Sequence, residues 1–166
     1  MTLLKNEKNN VLTIKTVQIT AFRVLMTALK DILLESNITF SKDGIKIANI
    51  DKSHTILVHL DLWADNFEYF DCKLDKIIIA VNMFHLFKLI SSIDNDESLT
   101  IYIEKDDYHD GVVECLGLKF ENPELNQFKI QKLKLIEPDK DELSMPDVSF
   151  DTIITINSND FQKIIR

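Results

Sequence analysis

The sequence predicts an α+β fold in which duplicated β-α-β-β-β units pack two helices on one face of an antiparallel sheet. Three observations carry this expectation. Across residues 44–62, Ile45 and Ile47 alternate with Lys46 and Ala48, then Ile56, Val58, Leu60 and Leu62 with Leu57, His59 and Asp61, about a polar turn. That period of two marks half-buried strands. Two stretches, beginning near Phe22 and near Met83, change to helical spacing. The order strand, helix, three strands then occurs twice, and self-similarity at this length implies two copies of one unit around a common core.

Taken in order, residues 11–20 carry Leu12, Ile14, Val17 and Ile19 and read as a strand with a slip in its alternation. From Ala21 onward Phe22, Leu25, Met26, Leu29, Ile32 and Leu33 fall on one apolar helical face, with Arg23, Thr27 and Lys30 opposite. Thr20 is the expected N-cap and Ser36-Asn37 the stop. Residues 37–41 form a short strand, Lys42-Asp43-Gly44 its turn, and the hairpin follows. The hairpin turn Asn49-Ile50-Asp51-Lys52-Ser53-His54 contains Asp and Ser side chains able to bond their own backbone. Residues 67–72 and 76–81 read as strands, and Asn82 caps a helix through Met83, Phe84, Leu86, Phe87 and Ile90 with His85 and Lys88 on its polar side. Strands at 99–104, 112–120 and 128–136 complete the second unit.

Residues 136–146, IEPDKDELSMP, break the pattern. Two prolines among a run of acids make an extended linker after a first domain of 11–136, with residues 1–10 as an N-terminal extension. Leu143 and Met145 are apolar within that linker, where they either pin it to the sheet or line a groove for a partner. Residues 150–156 alternate as a strand, and residues 157–160 cap a helix carrying Phe161, Ile164 and Ile165. Ile154-x-Ile156 before Phe161-Gln162-Lys163 echoes Val17-x-Ile19 before Phe22-Arg23-Val24. Residues 148–166 therefore read as the start of a second domain, and the chain as part of a longer parent.

With 45% apolar residues among 166, the chain can bury one good core, the remainder being too short for a second domain of the same kind. Its apolar runs are short, whereas a spanning helix needs about 20 residues, so no membrane partner is expected. Residues 1–10 hold one apolar pair, Leu3-Leu4, and no small-residue cleavage site, unlike a secretion signal. Cys72 and Cys115 sit in apolar strand-like segments as small hydrophobes, which suits a reducing compartment. The net charge of −8 opposes indiscriminate phosphate binding, but the acidity is local. Residues 1–92 hold 11 Lys/Arg against 10 Asp/Glu, whereas residues 93–166 hold 8 against 17.

No constellation of catalytic or metal-binding residues emerges, and no cofactor is expected. Asp51, Ser53 and His54 are the residue types of a hydrolase triad, yet crowding into one turn denies them the required nucleophile, base and orienter line. His54, His59 and Asp61 match neither a helical HExxH nor a zinc-finger spacing, and neither cysteine has a CxxC partner. GxGxxG and GxxxxGKS are absent, and three glycines are few for a phosphate-cradling loop. What recurs is sparse positive charge on equivalent helices: Arg23 and Lys30, His85 and Lys88, then Lys163 and Arg166. Scattered cations without base-reading partners suit weak contact with phosphates.

An apolar residue, Asp51, any residue, Ser53 and His54 in the hairpin, preceded by Ala28-Leu29-Lys30-Asp31-Ile32, resembles the first domain of the proliferating cell nuclear antigen family of DNA sliding clamps. The resemblance runs from about Leu12 to Arg166. It is carried further by the helix of 25–34, Phe67-Glu68-x-x-x-Cys72, Val81-Asn82, Phe87-Lys88, Leu143-x-Met145-Pro146 and residues 161–166. It implies the DNA-clamp fold and a non-enzymatic processivity factor for DNA polymerase, in which three two-domain subunits close a ring around duplex DNA without reading sequence. The implied partners are DNA polymerase, the clamp loader and other replication and repair proteins with a clamp-binding motif; the implied location is the nucleus, or a viral replication site. A damage-response clamp subunit that assembles with unlike subunits is the alternative within the same fold.

Residue by residue, the resemblance places Arg23, Lys30, Lys88, Lys163 and Arg166 at DNA-facing positions, and Ile50, His54, Leu143, Met145 and Pro146 at the client-peptide groove. It makes the strand bearing Phe128, Ile130 and Leu133 the subunit-interface edge. Val24 stands where many relatives carry lysine, which implies weaker channel affinity, and Thr55 replaces an apolar neighbour of His54, which implies a changed choice of clients. Residues 1–10 have no counterpart.

Overall fold

The computed structural model describes residues 9–138 and 149–165. In chain order the first unit comprises β1 (Asn10–Thr16), α1 (Ile19–Ile32), β2 (Glu35–Ser41), β3 (Gly44–Ile50) and β4 (Leu57–Trp63), followed by β5 (Tyr69–Cys72). The second comprises β6 (Ile77–Asn82), α2 (Met83–Ser91), β7 (Ser98–Glu104), the small β8 (Tyr108–His109) and β9 (Val112–Val113) hairpin, β10 (Cys115–Asn122) and β11 (Gln127–Lys134). A last helix, α3, spans Ser158–Ile165.

The repeated order is present, but the main strands divide between two antiparallel sheets where the sequence suggested one. The five-stranded sheet runs β11-β10-β7-β1-β5 and the four-stranded sheet β4-β3-β2-β6. The leading strand of each unit has crossed over. β1 lies beside β7, with Leu12 opposite Ile103 and Ile14 opposite Ile101, while β6 lies beside β2, with Ile79 opposite Ile38 and Ile77 opposite Phe40. A helix intervenes between each leading strand and the rest of its unit, so local turn chemistry does not determine its partner; burial on both sides does.

Buried residues of both sheets and both helices form one core cluster. Leu12 and Ile14 of β1, Ile77 and Ile79 of β6, and Leu99 and Ile103 of β7 are wholly or almost wholly inaccessible. Helix α1 buries Ile19, Met26 and Leu29, and α2 buries Met83, Leu86 and Ile90. The two helices pack side by side and antiparallel. Arg23 near the start of α1 reaches Ile93 beyond the end of α2, and the Met83 amide that opens α2 donates to Leu34 O, just beyond α1, at 2.9 Å.

Local expectations are met unevenly. The strand expected over 11–20 ends at Thr16, because α1 begins at Ile19; its N-cap is Gln18 rather than Thr20, with no side-chain capping bond. Asn82 caps α2 as expected, its side chain accepting the His85 amide at 3.1 Å. The stretch 112–120 is broken, Val112–Val113 pairing with Tyr108–His109 before β10 starts at Cys115. Residues 150–156 form no strand: Phe150, Ile153 and Ile154 stand exposed, and a strand needs a neighbour for its backbone groups. Helix α3 does form, with the Phe161 amide donating to Asn157 O at 3.0 Å, and it buries none of its side chains among the described residues.

Two glycines are required by close approach. At Gly44, with φ of 144°, a Cβ would stand 2.1 Å from the Leu62 carbonyl oxygen of the paired strand. At Gly117 on β10 it would stand 2.3 Å from the ring of Tyr102, which lies across the glycine from β7. Gly117→Ala is expected to destabilise the domain by about 1–3 kcal/mol, the usual cost of overpacking. A urea unfolding curve checks this, and an unchanged midpoint would show that the Tyr102 ring moves aside freely.

Candidate functional site

The hairpin turn, the ends of β2 and β3, and the chain leaving β11 enclose a groove of about 450 Å³. Glu35, Ser36 and Asn37 of β2, Ala48, Asn49 and Ile50 of β3, Asp51, Lys52 and His54 of the turn, Ala80 of β6, and Ile136 with Glu137 line it. Its fourth side exists because the chain folds back after β11. The Ile136 amide donates to Ala80 O at 3.1 Å, an isolated bridge on the open edge of β6. Asn49 ties the opposite wall by donating to Glu35 O at 3.0 Å.

Ile50 and His54, expected at the groove from sequence, both line it; Ile50 is half-buried and His54 exposed. Leu143, Met145 and Pro146 lie outside the described residues. Ala80, Ile136, Glu35 and Asn49 were not singled out from sequence. Ile136 carried a faint signal, as the last apolar residue of its strand-like run before Pro138; Ala80 carried none, because its part depends on which edge of β6 is left uncovered.

The turn is built on Asp51. Its amide donates to Ile56 O and its carbonyl accepts the His54 amide, both at 2.9 Å. One carboxylate oxygen accepts the Ser53 amide at 3.1 Å together with the Ser53 hydroxyl; the other accepts the amides of Thr55 at 2.8 Å and Ile56 at 2.6 Å. The Ser53 hydroxyl and these amides hold the Asp51 carboxyl well below the usual carboxylate range. Because the folded value is depressed, this contribution to the turn is complete above the ordinary carboxylate pKa of about 3.9 and is lost only as pH falls through the lower folded value. Asp51 grips Ser53 rather than His54, the opposite of the order a catalytic triad needs.

The helix surface differs from expectation in one respect. Arg23, Thr27 and Lys30 do not form the open face of α1; they lie half-buried, with Arg23 and Lys30 on the flank that meets α2 and the loop beyond it. The Arg23 guanidinium donates to Ile93 O, and its Nε lies buried without a partner among the described residues. The Lys30 ammonium pairs with Asp31 and stands 4.9 Å above the Phe87 ring. The open stripe of α1 is instead Thr20, Val24, Ala28 and Asp31. On α2, Phe84, His85, Lys88 and Ser91 are exposed, with the Lys88 ammonium 4.8 Å from the Phe84 ring. Lys163 on α3 is exposed and pairs with Asp160 at 3.1 Å; Arg166 lies outside the described residues. Arg23, Lys30 and Lys88 thus share one helical layer, while only Lys88 stands fully open.

β11 is the edge of the five-stranded sheet, as the strand bearing Phe128, Ile130 and Leu133 was expected to be. The pleat separates the three. Leu133 pairs with Leu116 and packs against the core, whereas Phe128 and Ile130 occupy the opposite face, where Lys119 lies 5.7 Å from the Phe128 ring.

Residues 11–143 match the family described as "Proliferating cell nuclear antigen, N-terminal domain". The chain is 34% identical over 161 residues to the "Probable DNA polymerase sliding clamp 1" of Paramecium bursaria Chlorella virus 1, covering 97% of this chain and 59% of that protein. It is 29% identical over 147 residues to the "Proliferating cell nuclear antigen" of Chaetomium thermophilum, covering 89% of this chain and 54% of that one. The crystal structure of the Entamoeba histolytica protein of that name superposes with a TM-score of 0.81 at 27% identity, over 93% of this chain and 59% of the other. The chain thus spans a little over half the length of these relatives. With the exchanged β-α-β-β-β units in place and the family match running through both of them, the chain belongs to the proliferating cell nuclear antigen family, of which it carries the N-terminal domain.

Proposed function

We propose that the chain is the N-terminal part of a sliding clamp, a non-enzymatic processivity factor that encircles duplex DNA and holds DNA polymerase to its template. The observation that carries this is the family match through residues 11–143, supported by fold similarity over nearly the whole chain. In this role the completed protein closes into a ring of three subunits in the nucleus, or at a viral replication site. The antiparallel helix pair faces the enclosed DNA, and the open edge of β11 joins the neighbouring subunit. A nearly neutral helix surface with Lys88 exposed suits sliding, because few tight phosphate contacts have to be broken at each step.

The groove beside Ile136 is the docking place for client proteins, which include polymerase, clamp loader and repair factors. Its lining is hydrophobic at Ile50, Ala80 and Ile136, with a polar rim of Glu35, Asp51, Lys52, His54 and Glu137. That combination accepts a short apolar plug and orients it by its flanks. Leu143, Met145 and Pro146 of the linker extend the same site in this reading.

Topology supplies the sharpest test. The full-length parent is expected to have the native mass of three protomers, to be retained on nicked circular plasmid after loading, and to be lost when the plasmid is linearised. Retention that ignores linearisation overturns the encircling reading; assembly only with unlike subunits assigns the parent to a damage-response clamp instead. Reversing Lys88 to glutamate in that parent is expected to lower the amount loaded onto the plasmid several-fold at low salt, with a smaller effect at high salt, because the encounter with phosphates is electrostatic, while rings already closed on the circle stay retained. For the groove, His54→Ala or Ile50→Ala is expected to weaken binding of a synthetic peptide with three central apolar residues and charged flanks by about tenfold, or ~1.4 kcal/mol, measured by fluorescence anisotropy.

A further inference from the structure

We propose that Asp51 is a positioning residue for the client groove: by bracketing His54 with both carboxylate oxygens, it holds that histidine at the groove wall before any peptide arrives. The inference rests on the groove being the client site.

His54 is one of three non-glycine residues with positive φ among the described residues, at 57°. An L-residue visits this region at a cost, and a histidine remains there only if its surroundings impose it. The imidazole imposes nothing itself, having no hydrogen-bond partner among the described residues; the backbone on either side does the holding. The amide before His54, of Ser53, is bound by one oxygen of Asp51, and the amides after it, of Thr55 and Ile56, by the other. The His54 amide itself is bound by the Asp51 carbonyl, and the Ser53 and Thr55 hydroxyls meet at 2.6 Å across the same turn. One acidic side chain thus satisfies three backbone donors, those of Ser53, Thr55 and Ile56, that a six-residue connection between β3 and β4 would otherwise leave to water.

A carboxylate suits this arrangement in a way its amide does not. Each oxygen serves as acceptor to amide donors, whereas asparagine keeps one acceptor and turns an NH₂ toward the remaining N–H groups. The effect on binding is indirect. A preordered His54 spares the peptide the cost of ordering the turn, so loss of the bracket shows as weaker affinity through His54. The other charged groups facing the groove, Glu35, Lys52 and Glu137, make none of these bonds to the turn backbone.

The test uses the whole 166-residue chain and the peptide with an apolar centre and charged flanks described above. Asp51→Asn is expected to weaken peptide binding about threefold to tenfold, and Asp51→Ala by more. The double variant Asp51→Asn/His54→Ala is expected to bind no more weakly than His54→Ala alone, since Asp51 acts through that side chain. Peptide affinity of Asp51→Asn equal to that of the unaltered chain, or fully additive losses in the double variant, overturns the assignment. The amide–Hα coupling of His54, which reports its φ, supplies an arm that needs no peptide. It is expected to change in Asp51→Ala, and an unchanged value overturns the positioning role alone. An unaltered chain that binds no peptide while its His54 coupling responds to Asp51→Ala overturns the groove reading, and with it the functional half of this proposal.

Discussion

The exchange of leading strands is the constraint on which the rest of the molecule depends. β1 belongs by sequence to the first unit, yet it completes the sheet of the second; β6 does the reverse. Leu12 and Ile14 are therefore buried against residues more than eighty positions away, Ile103 and Ile101. Each such side chain contributes about 1.5–3 kcal/mol when fully removed from water, and the share that comes from β7 is not available to the first unit folded by itself. The two units consequently share one core. Such long-range pairing carries a loop-closure cost that local hairpins such as β3–β4 escape.

This exchange also positions both candidate surfaces. Because β6 crosses to the first unit's sheet and α2 follows it directly, the Met83 amide is brought to Leu34 O and α2 is set antiparallel to α1. Because β6 is an edge strand there, its free side receives Ile136 when the chain leaves β11. The groove forms at that junction, where the end of the second unit returns to the hairpin of the first. Its polar rim comes from the hairpin turn and its far wall from the returning chain, and neither half makes a groove without the other.

Charge is distributed with similar economy. The cations of α1 are spent inside the structure, Arg23 on the carbonyl of Ile93 and Lys30 on Asp31 and the Phe87 face. Their aliphatic stems cover apolar surface at the helix seam while their heads find local partners. Lys88 remains as the open cation of the helix pair, beside an exposed Phe84. A surface of this kind binds phosphate weakly, which the proposed enclosing role tolerates because the ring itself prevents escape.

Much of this was written in the sequence by itself. Period-two alternation set the β3–β4 hairpin, helical spacing set α1 and α2, Asn82 announced its cap, and the repeated order announced two units; all are local patterns, legible because a side chain's direction follows from its position along a helix or strand. The groove residues Ile50 and His54 were reached through family resemblance, not through periodicity. Only the tertiary structure decided which strand accompanies which, that Leu133 faces inward while Phe128 and Ile130 face outward, that Arg23 lies in a seam, and that Ile136 meets Ala80. The reason is physical: pairing across long separations is chosen by the total apolar area buried, a property of the assembled core that no window of neighbouring residues contains.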